Sequence, residues 1–188
     1  MLNLYVVRHG QTDWNIQTRM QGRTDIPLNS TGIKQAQETA LALKDIPIDF
    51  IISSPLKRAL DTANYINFYK NVPILIDERI IERSFGELEG KTKDDLSNFH
   101  VTINELLDYS LNYSIYNIEN IHNLFMRTEL FINEIKNTNA DKNILISTHN
   151  GVAQTLDIIL NKLPKTTNLL DVSFKNCEYR RYIINDSK

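Results

Sequence analysis

The apolar run Leu4-Tyr5-Val6-Val7 stops abruptly at a cation, an imidazole and a glycine, Arg8-His9-Gly10. A short apolar run of this kind reads as a buried strand. In α/β proteins such strands deliver their last residues to a crevice at the carboxyl edge of the sheet. That edge receives Arg8, a permanent cation suited to bidentate oxyanion binding. It also receives His9, which could serve as base, nucleophile or metal ligand. Gly10 lets the backbone turn tightly and approach a ligand. Taken alone, the dipeptide fits equally well a strand end with a salt-bridged arginine and a hydrogen-bonded histidine.

Two further stretches repeat the pattern. The apolar run from Asp49 leads through Ser53-Ser54-Pro55 to Arg58, in the first turn of a helix with Ser54 as expected N-cap and Pro55 as its first residue. The run from Asn143 to Thr148 ends at His149-Asn150-Gly151, also at a helix start. Ile74-Leu75-Ile76 is a shorter strand between them. Apolar residues recur at helical spacing in three places: Ile33 to Leu43, Leu56 to Ile66, and the stripe from Ile118 through Phe125 to Ile135. The first of these starts at Asn29-Ser30-Thr31-Gly32, a good capping sequence. Residues 91–139 read as helical throughout. Val172-Ser173-Phe174, a turn at Lys175-Asn176, and Glu178 to Ile184 read as a hairpin at a sheet edge. The alternation of strands and helices predicts an α/β three-layer sandwich, a mostly parallel central sheet flanked by helices. A single domain, residues 1–188, with a helical lid or insert at about 91–139, accommodates the whole pattern.

Right-handed crossovers place all three strand ends on one edge of the sheet. Two imidazoles, two guanidiniums and two helix N-termini then face one crevice, which suits a tetrahedral dianion such as phosphate. Composition narrows the partners. A formal net charge of -2 gives no reason to expect nucleic acid or an acidic membrane surface. Cys177 is the only cysteine, so no intrachain disulfide forms. No secretory signal or transmembrane window is visible, and the expected location is cytoplasmic.

Arg8-His9-Gly10-Gln11-Thr12 with Trp14-Asn15, Ser53-Ser54-Pro55 with Arg58, Glu82-Arg83-Ser84-Phe85-Gly86 with Glu89-Gly90, and Thr148-His149 together resemble the histidine phosphatase superfamily. The likeness is to the branch of cofactor-dependent phosphoglycerate mutases and their phosphatase relatives. The resemblance implies that His9 is the phosphoryl-accepting nucleophile. It implies that Arg8, Arg58 and His149 surround the phosphate, with Asn15 in the same pocket, and that Glu82 donates a proton to the leaving oxygen. Gln21, Gly22, Arg83 and Phe85 would border the substrate side. His149 is followed by Asn150 and only then Gly151, where the family often has glycine directly, so the Asn150 N–H is the backbone group expected at the phosphate. For its part Glu82 needs a raised pKa to hold a proton near neutrality.

The member expected is a phosphatase of small phosphate monoesters, acting on a small phosphorylated metabolite, with no cofactor and no metal. A homodimer is left open. Mutases of this family carry an additional basic pair for the carboxylate of phosphoglycerate. Here Arg127 is the only Lys or Arg from Asp94 to Glu134. A phosphoglycerate mutase and the ribazole phosphate phosphatase of cobalamin synthesis are the alternatives. Outside the family stand a metallohydrolase using His9, His149 and Glu82, which lacks a local two-ligand motif, and a catalytically dead phospho-ligand binding module.

Overall fold

Strand β1 (Leu2–Arg8) is buried on both faces, as a strand inside a parallel sheet must be. Its side chains alternate: Leu2, Leu4 and Val6 enter one apolar cluster, Tyr5 and Val7 another. The computed structural model describes residues 1–92, 94–109 and 116–185. Strands β2 (Phe50–Ser53), β3 (Ile74–Ile76), β4 (Asn143–Thr148) and β5 (Tyr179–Ile184) complete a five-stranded sheet among the described residues, in the order β3-β2-β4-β1-β5. The first four strands run parallel, and β5 lies antiparallel to β1. Register aligns the functional ends: Arg8 lies opposite Thr148, and Ser53 opposite Ser147.

Helix α1 (Asp13–Ile16) is a single turn closed by a Thr12–Asn15 capping box. Helices α2 (Ser30–Leu43) and α3 (Lys57–Asn67) cover one face of the sheet, over Tyr5, Val7, Ile51 and Leu145. As expected, Asn29 caps α2: its Oδ1 accepts the Gly32 N–H at 2.9 Å. Beyond α4 (Ile103–Leu107), helices α5 (Ile121–Thr138) and α6 (Asn150–Leu160) cover the other face with Leu4, Val6, Ile144 and Ile146. The three-layer architecture is therefore the one the alternation of elements implied. Among the described residues no helix is long and apolar enough to cross a membrane.

Four local expectations are corrected. Helix α3 begins at Lys57 rather than Pro55, with Leu56 extended and no side-chain cap. The hydroxyl of Ser54 sits 2.7 Å from His149 Nε2 and is engaged there. Ile118 precedes α5, whose N-cap is Asn120; it belongs to a small separate cluster with Leu88, Leu96, Val101 and Leu106. Residues 91–139 are not helical throughout. They contain a 3-10 segment at Asp94–Phe99, α4 and α5, and the stretch 110–115 lies outside the described residues. Of these, α5 packs in the main core through Phe125, Phe131 and Ile132. Residues 172–174 form no strand. Leu169–Val172 is a 3-10 turn, and the Phe174 N–H donates to Asn150 Oδ1 at 3.0 Å instead of to a sheet partner.

Candidate active site

β1, β4 and β2 are neighbours, so the residues that leave their ends meet. His9 is 3% exposed. Its Nδ1 lies 2.7 Å from the Gly10 carbonyl oxygen, which can only accept, so Nδ1 carries the proton and Nε2 the lone pair. Burial above all, then the cations of Arg58 and Arg8, holds the His9 pKa well below the usual histidine value. At neutral pH this imidazole is uncharged. The His9 and His149 rings stand 5.2 Å apart, tilted by 60°.

His149 is fully buried. Arg58 Nε donates to its Nδ1 at 3.2 Å, and its Nε2 donates to Ser54 Oγ at 2.7 Å. Burial and the same cations depress its pKa too. Both ring nitrogens are thus engaged with protein. Arg58 is also fully buried, and its other nitrogens donate to the carbonyls of Thr24 (2.8 Å) and Gly22 (2.7 Å). The 22–24 loop that supplies these carbonyls is held by Glu89. That carboxylate accepts from the N–H groups of Arg23 (2.9 Å), Thr24 (2.9 Å) and Phe85 (3.1 Å). Gly22 has φ of +52° and a Cβ there would fall 2.1 Å from Glu89 Oε1, so the turn requires glycine.

Arg8 Nη1 donates to the Phe174 carbonyl at 2.5 Å. Its Nε is buried without a partner, and so is Gln21 Oε1; among the described residues these are the two buried side-chain atoms left unpaired. Both residues line one cavity of about 310 Å³, together with His9, Asn15, Arg58 and Glu82. A buried guanidinium N–H without an acceptor is costly. The cavity lining also includes the apolar side chains of Trp14, Met20, Phe85, Leu106, Leu107 and Leu169. A wider groove of about 710 Å³, lined by Gln37, Asp61, Tyr65 and Phe68, holds none of these groups.

Glu82 accepts the Arg83 N–H at 2.9 Å on Oε1 and the Gly151 N–H at 3.4 Å on Oε2. A Cβ at Gly151 would lie 2.7 Å from Oε1, so glycine permits the close approach of α6 to this carboxylate. Asn15 Oδ1 accepts from Thr12 N–H and from Asn176 Nδ2 (3.3 Å), and Asn176 also donates to the His9 carbonyl at 3.1 Å. The Asn150 side chain turns to the peptide of Phe174, whose carbonyl holds Arg8; it braces that arginine. Arg83, expected as a rim cation, is 5% exposed and donates to the carbonyls of Glu119 (2.6 Å) and Leu106 (2.5 Å). Among the described residues no group of three or more His, Cys, Asp or Glu side chains could hold a metal ion.

The structure thus gathers Arg8, His9, Asn15, Gln21, Gly22, Arg58, Glu82, Arg83 and Asn150 around one cavity, with His149 behind it. Three residues gain parts that their sequence positions did not announce. Ser54 read as a cap, Asn176 as a turn residue, and Glu89 only as one letter of a motif. The Asn176 contact spans 167 residues, and no local pattern signals it.

Comparison with known proteins agrees with this geometry. Residues 4–188 match the model of the histidine phosphatase superfamily, branch 1. The phosphatase PhoE of Bacillus subtilis (strain 168), itself uncharacterized, is 51% identical over 90 residues, which cover 48% of this chain and 47% of that protein. The matched stretch spans about half the length of that curated relative. The solved structure of Bacillus stearothermophilus YhfR superposes with a TM-score of 0.87 at 28% identity, covering 99% of this chain and 93% of that one. The alpha-ribazole phosphatase from Shigella flexneri gives a TM-score of 0.87 at 27% identity, over 98% and 91% of the two chains. With the matched family spanning nearly the whole chain, the fold in agreement and the strand-end residues in place, this protein belongs to the histidine phosphatase superfamily.

Proposed function

We propose that this protein is a metal-independent phosphatase of small phosphate monoesters that works through a phosphohistidine at His9. Arg8 and Arg58 neutralise the phosphoryl oxygens, the part that metal ions take in other phosphoryl-transfer sites. His9 Nε2 attacks phosphorus, the P–O ester bond breaks, and the leaving oxygen takes a proton from the Glu82 carboxyl. A water then gives its proton to Glu82 and attacks the phosphohistidine. The N–P bond breaks, its electron pair returns to Nε2, and inorganic phosphate departs.

The observation that carries this reading is a single cavity lined both by a buried, neutral His9, whose Nε2 bears the lone pair, and by the cation Arg8. The leaving group we assign is apolar over much of its surface, because Trp14, Met20, Phe85 and Leu106 face it. The same lining disfavours a mutase. A mutase must grip the carboxylate and second phosphate of its bisphosphorylated intermediate, and Arg83 is committed to two backbone carbonyls.

The test is to supply 3-phosphoglycerate with a trace of 2,3-bisphosphoglycerate, and in parallel an aryl phosphate, alpha-ribazole phosphate and phosphoserine, and to follow products by phosphorus NMR. The expected result is inorganic phosphate, released faster from the substrates with apolar bodies. Rapid interconversion of the 2- and 3-phosphoglycerates with little free phosphate would overturn the reading.

A further inference from the structure

Glu119 lies just before α5, outside every motif that identifies the family. Its side chain is 12% exposed and accepts from Arg127 twice, Nε at 2.7 Å and Nη2 at 3.0 Å. This is a bidentate, charge-assisted pair, the strong form of the interaction. Beyond the helix itself, the other hydrogen bonds of the pair among the described residues run to the loop that carries Glu82 or to Arg23, which is bound to that loop. The Ser84 N–H donates to Glu119 Oε2 at 3.3 Å, and the Glu119 N–H donates to the Ser84 carbonyl at 3.0 Å. Arg83 Nε donates to the Glu119 carbonyl at 2.6 Å. Arg127 Nη1 donates to the Arg79 carbonyl at 2.6 Å. Arg23 bridges from the other side, Nε to the Glu82 carbonyl at 3.3 Å and Nη2 to Glu119 Oε2 at 3.4 Å.

The segment 79–84 is therefore gripped before and after Glu82, by one ion pair, while the Glu82 side chain itself touches neither member. We infer that Glu119, locked by Arg127, is the positioning residue for Glu82: it sets where the carboxyl stands relative to the leaving oxygen. The inference rests on the proposed role of Glu82 as the leaving-group acid. Proton transfer demands a donor within hydrogen-bond reach, and displacement of about 1 Å is enough to impair it.

A displaced acid has a kinetic signature that general loosening lacks. Alkoxides leave badly without a proton, whereas aryl oxides of low pKa leave with little help. The experiment measures kcat/KM for a series of alkyl and aryl phosphates of graded leaving-group pKa, in the wild type, Glu119→Gln, Arg127→Lys and Glu82→Gln, with thermal unfolding as a check on folding. Glu119→Gln keeps the shape of the side chain and removes its charge. The expected result is a loss of roughly 10-fold on alkyl phosphates, part of the 10²–10⁴ typical of a general acid, with aryl phosphates within about 2-fold. Arg127→Lys, which cannot form the bidentate pair, should show the same selectivity more weakly and decides the matter if Glu119→Gln does not fold. Selective loss in Glu82→Gln but equal or no loss on both classes in the Glu119 and Arg127 variants overturns the positioning role alone. Equal loss in Glu82→Gln overturns the acid assignment, and the inference falls with it.

Discussion

Arg58 donates from Nε to Nδ1 of His149, and that one bond decides which nitrogen of His149 carries the proton. A guanidinium has no acceptor, so Nδ1 must hold a lone pair and Nε2 must donate, which it does to Ser54. A buried cation and a buried imidazole thus share a contact without both being charged.

Lysine cannot reproduce this. Arg58→Lys offers a point charge where a fork serves His149, Gly22 and Thr24 at once. We expect kcat/KM to fall by about 10²–10³-fold, because the fixed positive charge at the cavity and the fork that holds His149 and the 22–24 loop are lost together. Full activity in a folded Arg58→Lys enzyme, judged by circular dichroism and steady-state kinetics, contradicts the assignment.

His9→Ala should abolish the phosphoenzyme. Rapid quench with labelled substrate is expected to trap an acid-labile, base-stable adduct in the wild type and none in the variant. Because burial and two arginines keep His9 neutral, phosphorylation should stay fast as pH falls through 6.5, where an ordinary histidine would protonate. An acid limb centred at or above pH 6.5 in the single-turnover rate would contradict this.

The same depressed histidines make stability depend on pH. In the unfolded chain His9 and His149 titrate near 6.5, and in the folded protein well below it. Between those values the unfolded chain holds protons that the folded one does not. Stability is therefore complete above about pH 6.5 and lost as pH falls, by up to about 1.4 kcal/mol per pH unit for each histidine. Melting temperature from pH 7.5 to pH 5 should drop, and drop less in His9→Ala; a flat curve would refute it.

Gly32 at the start of α2 touches the backbone of the catalytic loop. A Cβ there would fall 2.0 Å from the Gln11 carbonyl oxygen, a backbone atom, so one of the two main chains must shift. Gly32→Ala should destabilise the fold by roughly 1–3 kcal/mol, as overpacking does, and push Gln11 and its neighbour Gly10 outward. Calorimetry showing no loss of stability would mean that the helix can tilt away at no cost.

Exhaustive chelation should leave turnover intact, since Arg8 and Arg58 carry the charge that a metal would meet. Activity lost to chelator and restored by one divalent ion would return the metallohydrolase to consideration.

The sequence made the strand ends readable because a parallel sheet writes them as apolar runs cut off by polar residues, as at Arg8, Ser53 and His149. Long-range side-chain partners were not readable in that way. Ser54 resembles any N-cap, and nothing near it names His149, 95 residues away. Arg83 was expected on the substrate side from the resemblance and does line the cavity, but nothing in the sequence announced that its guanidinium would bond the carbonyls of Leu106 and Glu119. Of the hairpin expected at the C-terminal end the second strand is present, as β5 at the sheet edge, but the first is not: the Phe174 peptide bonds Asn150 and Arg8 instead.

Strand β4 lies between β1 and β2, yet its first residue, Asn143, comes 90 residues after Ser53 in the chain. During synthesis β1 and β2 have no common sheet until the chain reaches Thr148. A nascent chain that carries both His9 and Arg58 therefore still lacks the strand that sets them side by side. The cavity that both residues line is complete only once this late-made strand has been inserted between two earlier ones.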